Sequence, residues 1–276
     1  MTAQLGVRWT IGDVSSAGFE ALRLSVHGAM RLFGKDVTYR VYVNTISISE
    51  ARRRVGPLGG DLEWHATERR IPDILRPFLS DGMAEGVAWK LIPLRAFPGR
   101  FELSLDNDVI LWDIPPALSA WLDPGERAAR LIAADVSAGH GNFSKFCGPA
   151  PRNSGIRGLG PEFDFEGALQ RILQLNPVPL DSELDEQGLQ VAALSVDGPP
   201  LVVNAGDVTI CSPFYPHTPA LGRFGAHFVG LNARVIPWFY YEKPAIEVRL
   251  AHWNAHRPEL YRRVGLAMPD LPELAP

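Results

Sequence analysis

The sequence is poor in cysteine: Cys147 and Cys211 stand alone with no CxxC spacing, so neither a disulfide framework nor a zinc site is indicated. They read as two reduced, mostly buried thiols. It lacks any apolar run near the roughly 18 residues of a membrane span, and its opening, MTAQLGVRWTIGDV, has no basic region followed by an apolar core. The chain therefore reads as cytoplasmic, with Arg249, Arg257, Arg262 and Arg263 leaving room for peripheral contact with the inner membrane face. Net positive charge is also missing. Lys and Arg total 27 against 31 Asp and Glu, a formal charge of -4, so no basic field holds a polyanion and nucleic acid is not an expected partner. Internal repeats and low-complexity tracts are absent.

What is present is a core. The chain has 276 residues, 46% hydrophobic and 21% charged, enough for one large domain over residues 1–268 with a frayed tail at 269–276. Val7–Ile11 reads as a strand ending at Gly12-Asp13. Ser15 or Ser16 then caps a helix whose Phe19, Leu22, Val26, Met30 and Phe33 share one face, closed by Gly34. A strand follows from Val37 to Val43, then a helix at Ile48–Val55, a strand at Leu62–Ala66 and a helix around Ala84–Leu91. Such alternation predicts an α/β fold with a mostly parallel central sheet flanked by helices, its ligand at the carboxyl ends of the strands. Further helices are expected at Ala117–Leu122, Glu126–Ala134, Phe163–Leu175 and Glu186–Leu194. The tract GPAPRNSGIRGLGP, Gly148–Pro161, reads as an irregular loop.

One strand contains a contradiction. In FELSLDNDVILW, Phe101–Trp112, two aspartates interrupt an otherwise buried apolar pattern. If the backbone stays extended, Asp106 and Asp108 point to the same side and repel each other unless a proton or a cation intervenes. Mg or Mn is the simplest remedy, because a hard divalent ion accepts carboxylate oxygens and completes its shell with water and substrate phosphates. By itself Asp-x-Asp also marks ordinary turns at strand ends.

LSLDNDVILWDIP resembles the LDxDxxVxxDIxxL segment of nucleotide-sugar glycosyltransferases of the GT-A fold, in the retaining branch that contains glycogenin and the bacterial lipopolysaccharide galactosyltransferases. The resemblance implies that Asp106 and Asp108 hold a divalent metal, Mn or Mg, against the diphosphate of a UDP-sugar donor, with Asn107 between them in the donor site. Asn153-Ser154-Gly155 resembles the Asn-Ala/Ser-Gly turn that contacts the donor sugar in that family, implying donor contacts from Asn153 and Gly155. As bare sequence it is a turn, as is Asn204-Ala205-Gly206, which reads better as a hairpin between two strands. LDEQGLQVAAL resembles the family's acidic-Gln segment, implying catalytic roles for Glu186 and Gln187; Gly188 replaces the family's next aspartate, and Asp185 reads equally as a cap. AHFVGLNARVIPW resembles the His-Phe-x-Gly-x-x-Lys-Pro-Trp segment, implying His227 as third metal ligand, Gly230 against the phosphates and Arg234 in the lysine role, one position late.

Other residues stay open between two readings. Asp13 sits where this fold receives uracil and ribose, yet Asp beside Gly is an ordinary turn. Lys90 and Arg95 can reach a donor, although a solvated surface is the plainer account. Asp113 reads as a cap for the helix at Pro115. At least two residues of the run Trp238–Tyr241 read as core, the others being able to stack on a sugar. His252 and His256 share a helical face and can bind metal, although surface or core histidines are the plainer reading.

The activity implied is metal-dependent transfer of a hexose from a UDP-sugar, with retention. Its acceptor is a saccharide, a lipid-linked glycan or a protein, with residues about 1–115 binding nucleotide and about 116–268 serving sugar and acceptor. Two alternatives remain at this level. A sugar-phosphate nucleotidyltransferase shares fold and metal, but GDVSSAGFE lacks the Lys or Arg its triphosphate loop needs. A non-catalytic binding module of the same fold is the other.

Overall fold

The computed structural model of the chain describes residues 5–67, 71–79, 89–125 and 127–269. Its first half follows the expected alternation: β1 (Leu5–Ile11), α1 (Ser16–Phe33), β2 (Thr38–Val43), α2 (Ile48–Val55), β3 (Leu62–Ala66) and β4 (Phe101–Leu105). Ser15 caps α1 by accepting from the Gly18 amide at 3.1 Å, which satisfies one orphan donor of the first turn. Phe19, Leu22, Val26 and Ala29 of α1 are fully buried with Val7, Trp9 and Ile11 of β1 in one core. Each such side chain stabilises the fold by about 1.5–3 kcal/mol for the larger ones.

Then follow β5 (Val109–Leu111), α3 (Pro116–Trp121), β6 (Arg130–Ala134), α4 (Ser144–Cys147), β7 (Arg152–Leu159), α5 (Phe165–Leu175) and α6 (Glu183–Ser195). The chain continues through β8 (Leu201–Val203), β9 (Val208–Ile210), β10 (Gly225–His227), β11 (Phe239–Tyr240), β12 (Lys243–Pro244) and α7 (Ala245–Val264). The main sheet has the order β3-β2-β1-β4-β7-β6-β8. Here β7 runs antiparallel to both β4 and β6, while the other pairings are parallel. A smaller sheet, β5-β10-β9, lies beyond it. Because β2 and β3 extend from one side of β1 and β4 from the other, the order reverses at β1, and a crevice opens at the carboxyl ends of β1 and β4.

The strand expected from Phe101 to Trp112 is two strands in two sheets. It breaks at Asp106–Asp108, where a turn is closed by the Val109 amide donating to the Asp106 carbonyl at 3.1 Å. The predicted helix at Glu126–Ala134 is replaced by β6 over its C-terminal half. Ala, Arg and Leu favour helix there, but pairing with β7 and β8 overrides that preference. Most of the presumed loop Gly148–Pro161 is β7, buried along nearly its whole length. Its glycines serve packing: a Cβ on Gly158 would lie 2.7 Å from the Trp121 ring. The Asn204–Gly206 turn joins β8 to β9, which pair in different sheets, so it closes no hairpin. Asp113 accepts from the next amide, Ile114, and does not cap α3. Of the helix expected at Ala84–Leu91, residues 84–88 lie outside the described residues, and Trp89–Leu91 is a 3-10 turn. The expected tail lies outside them from residue 270 onward.

Three of the four residues of the aromatic run are exposed and Tyr240 is half-buried against Phe214, so none is core. Trp238, Phe239 and Tyr241 are 45%, 71% and 84% exposed, on the ribbon β11–β12 whose two-residue turn, Tyr241-Glu242, has positive φ at both positions. Conversely, Arg249 and Arg257 are buried: Arg249 donates to the Gly230 and Ala233 carbonyls, and Arg257 to Glu20. Neither presents a basic face to a membrane. Among the described residues no helix is long and apolar enough to cross one.

The main sheet carries charge in its centre. Arg8 on β1, Glu102 on β4 and Arg157 on β7 are buried together, with Glu102 Oε1 3.7 Å from Arg8 and 3.9 Å from Arg157. Glu102 Oε2 accepts from the Ala96 and Phe97 amides at 2.6 and 2.8 Å. Burial lowers the Arg157 pKa to about 10, with Arg8 adding to the effect against the attraction of Glu102. Replacing Glu102 with Ala therefore removes the carboxylate that lies between two buried guanidiniums. The expected loss is about 3–5 kcal/mol of unfolding free energy by denaturant titration; a change within experimental error would show the triad to be electrostatically idle.

Candidate active site

The turn that divides β4 from β5 is where the acids lie. Asp106 keeps its strand pairing through its amide, 2.8 Å from the Gly155 carbonyl, while the Asp108 carbonyl accepts from Phe228 just after β10. One turn thus joins both sheets, and β10 brings His227 to it. His227 Nε2 lies 3.3 Å from Asp108 Oδ1 and 3.8 Å from Asp106 Oδ2. Ligand atoms from all three residues fall within 4.8 Å of one another. Extended geometry, the basis for expecting the two carboxylates on one side, is absent; the turn and the second sheet produce the convergence instead.

The cluster attracts positive charge. Burial alone would lower the His227 pKa, but Asp108, through its charge and hydrogen bond, and then Asp106 raise it. Lys90 Nζ lies 2.7 Å from Asp106 Oδ2. Burial would lower its pKa too, yet Asp106, Glu186 and Asp108 outweigh that and raise it. The plainer account of Lys90 as solvated surface is therefore wrong: it is an ion-paired wall of the site. Arg95, its companion, binds the Phe163, Arg100 and Gly160 carbonyls and braces loops. Two carboxylates and one imidazole, partly desolvated and drawing cations, suit a hard divalent ion such as Mn or Mg.

The crevice, of about 770 Å³, is also lined by Gly12, Asp13, Asn107, Asn153, Glu186, Gln187, Gly230 and Asn232. Gly155 underlies it, and a Cβ there would lie 2.5 Å from His227 Cε1, so only glycine lets the imidazole pack against β7. Asn153 donates to Asp135 Oδ2 at 3.0 Å and accepts from the Gly155 amide. Gln187 bridges the Ser154 amide and the Gly139 carbonyl. Asn107 points away from the acids into a reciprocal amide pair with Asn232, and donates to the Gly18 carbonyl. Arg234 lies outside the crevice lining and pairs with Asp13, which Arg54 also binds at 2.7 Å.

Glu186 is, with Asp108, a buried acid of the site. Burial drives its pKa up to about 7; Asp106 and Glu183 push the same way, against Lys90 and Arg157. It accepts from Gln190, which accepts from Arg157 Nη1 at 2.5 Å. Asp185, beside it, accepts from the Asn142 and Asp181 amides and so fixes two loops rather than acting as the cap, which is Ser182. At Gly188 a side chain would collide with the His140 carbonyl. Aspartate cannot stand there in this packing.

Sequence reasoning missed Arg157, Gln190 and Asn232. Arg157 lay inside the presumed loop, Gly148–Pro161. The one available signal was a charged residue facing the core on each of three segments, Arg8, Glu102 and Arg157, which only the strand order brings together.

No protein-family model matches the chain, and no curated sequence matches it significantly. Solved structures do. Galactosyltransferase LgtC in complex with donor and acceptor sugar analogues superposes with a TM-score of 0.51 at 12% identity, covering 96% of this chain and 98% of that one. The chain has the GT-A fold. An active-site glutamine-to-glutamate mutant of LgtC matches with a TM-score of 0.53 at 14% identity, covering 96% and 98% of the two chains. Mouse xyloside xylosyltransferase 1, apo form, matches at 0.52 and 13%, covering 84% of this chain and 99% of that one.

The raised pKa of Glu186 makes stability depend on pH in a defined sense. Between its ordinary value of 4.5 and about 7 the unfolded chain has lost a proton that the native chain still holds, so stability falls as pH rises through that window. In nucleotide-free, metal-stripped protein, Glu186→Gln is expected to stabilise relative to wild type more at pH 8 than at pH 5. Denaturant titration of both proteins at the two pH values measures this. An equal difference at both would mean that Glu186 ionises normally.

Proposed function

We propose that this chain is a metal-dependent glycosyltransferase that moves a hexose, with retention, from a UDP-sugar to a saccharide, lipid-linked or protein acceptor. The observation that carries the reading is the convergence of Asp106, Asp108 and His227 within 4.8 Å, at the switch point of a GT-A sheet. The matched LgtC structure holds donor and acceptor sugar analogues, which favours the same substrate classes here. Residues about 1–115 take the nucleotide and about 116–268 the sugar and acceptor.

Asp106, Asp108 and His227 would hold an ion of Mn or Mg, which would supply Lewis-acid stabilisation of negative charge on the departing diphosphate. Lys90, half-buried beside Asp106, adds a positive charge at the same place and takes the lysine role expected of Arg234. Arg234 instead acts through Asp13, holding it with Arg54 at the uracil and ribose end of the crevice. Gly230 lets the backbone approach the phosphates, and Asn107, with Asn232, keeps the acid-bearing turn in place. Asn153 and Gly155 form the floor under the sugar. Gln187 positions it from α6, and Glu186, held by Gln190, offers its carboxylate to the positive charge of an oxocarbenium-like transition state.

Calorimetry with UDP, GDP and a nucleoside triphosphate, each with and without Mn, tests the reading, together with slow metal-dependent hydrolysis of UDP-hexoses. UDP is expected to bind only with Mn, and Asp108→Asn to lower donor hydrolysis by about a hundredfold or more, the scale of losing one charge-stabilising group. Preference for the triphosphate with release of pyrophosphate would instead indicate a nucleotidyltransferase. No nucleotide binding would reduce the chain to a non-catalytic module of this fold.

A further inference from the structure

A second group of metal-ligating side chains lies on the far side of the strand that carries His227. Cys211 follows β9 directly, and His252 and His256 stand four residues apart on one face of α7. Ligand atoms from the three fall within 4.8 Å of one another. Cys211 Sγ lies 3.5 Å from His252 Nε2, and the two imidazoles stack edge to face at 4.6 Å between centroids. Cys211 is buried, whereas both histidines are partly open, which leaves an entry path from solvent.

We propose that Cys211, His252 and His256 form a binding site for a zinc-class divalent ion. The donor set decides the class: one thiolate and two imidazoles match borderline-soft ions in tetrahedral geometry, whereas the two carboxylates of the donor site match Mn or Mg. The fourth position belongs to water or to the Pro219 carbonyl, which lies 2.8 Å from His256 Nε2 and 3.6 Å from Cys211 Sγ. Binding replaces the thiol proton, so one proton goes to solvent for each ion taken up.

The site braces the donor site without touching substrate. The Cys211 amide donates to the His227 carbonyl at 2.8 Å, extending the parallel pairing of β9 with β10. Phe228, the next residue, packs its ring against His252, Trp253 and His256. An ion joining α7 to the end of β9 therefore fixes the segment that aims His227. The inference stands whether or not the chain transfers sugar.

Cobalt reports the ligand set directly. The reduced, metal-stripped full chain, titrated with Co(II), is expected to develop a near-ultraviolet thiolate-to-cobalt band and tetrahedral visible bands, lost when Zn(II) is added. Because Cys147 is the only other cysteine, Cys147→Ser must retain the near-ultraviolet band and Cys211→Ser must abolish it. His256→Gln should weaken cobalt binding by more than about tenfold, as loss of even an outer-sphere partner does. Asp108→Asn should leave the band intact, which separates this site from the donor site. Absence of the band in wild type, or its loss in a folded Cys147→Ser chain, overturns the assignment. Should Cys211→Ser fail to fold, the Cys147→Ser titration alone decides.

Discussion

A line of alternating buried charge is the constraint on which the rest of this molecule depends. It starts with Arg8, Glu102 and Arg157 inside the main sheet and passes through the Gln190 amide to Glu186, whose charge is coupled to the less buried Lys90–Asp106 pair at the crevice. Isolated, the fully buried members, Arg8, Glu102, Arg157 and Glu186, would each carry a large desolvation penalty; side by side, their opposite charges offset it. Burial raises the Glu186 pKa to about 7, while Lys90 and Arg157 hold it below what burial alone would impose.

The site itself exists because the chain changes sheets. At Asp106–Asp108 the backbone leaves the main sheet for the smaller one, and β10 returns His227 to the same turn. The two aspartates interrupt an apolar run because they are the seam between two sheets. Trp9 reinforces the seam by donating to Ser25, which in turn donates to the Val109 carbonyl, so β1, α1 and β5 are locked together beneath it.

Much of this was legible in the sequence where local pattern and tertiary role agree. The first strand-helix-strand unit, the capped α1, and α2 and β3 were readable from periodicity and caps. The acid pair and the histidine were readable as a set only through their resemblance to a known family. Where local preference and tertiary context conflict, the reading failed. The segment RNSGIRGL looks like loop because Asn, Ser and Gly form turns, yet small residues are what a central strand needs when His227 and Trp121 press against it. ERAARLIAA looks helical, yet its second half, Arg130–Ala134, is recruited between two strands. Lys90 looked like surface because nothing local reveals that Asp106 lies 2.7 Å from its ammonium, and WFYY looked like core although it is a mostly exposed ribbon.

The central claim is that Asp106, Asp108 and His227 hold a divalent ion against a nucleotide diphosphate. Crystals grown with Mn and a non-transferable UDP-hexose analogue, with diffraction recorded at the manganese absorption edge, test it most directly. The account predicts one anomalous peak bounded by those three side chains and the diphosphate, with the Lys90 ammonium turned from Asp106 toward the phosphates. A bound nucleotide with no manganese among the three residues, or manganese elsewhere in the chain, would contradict it.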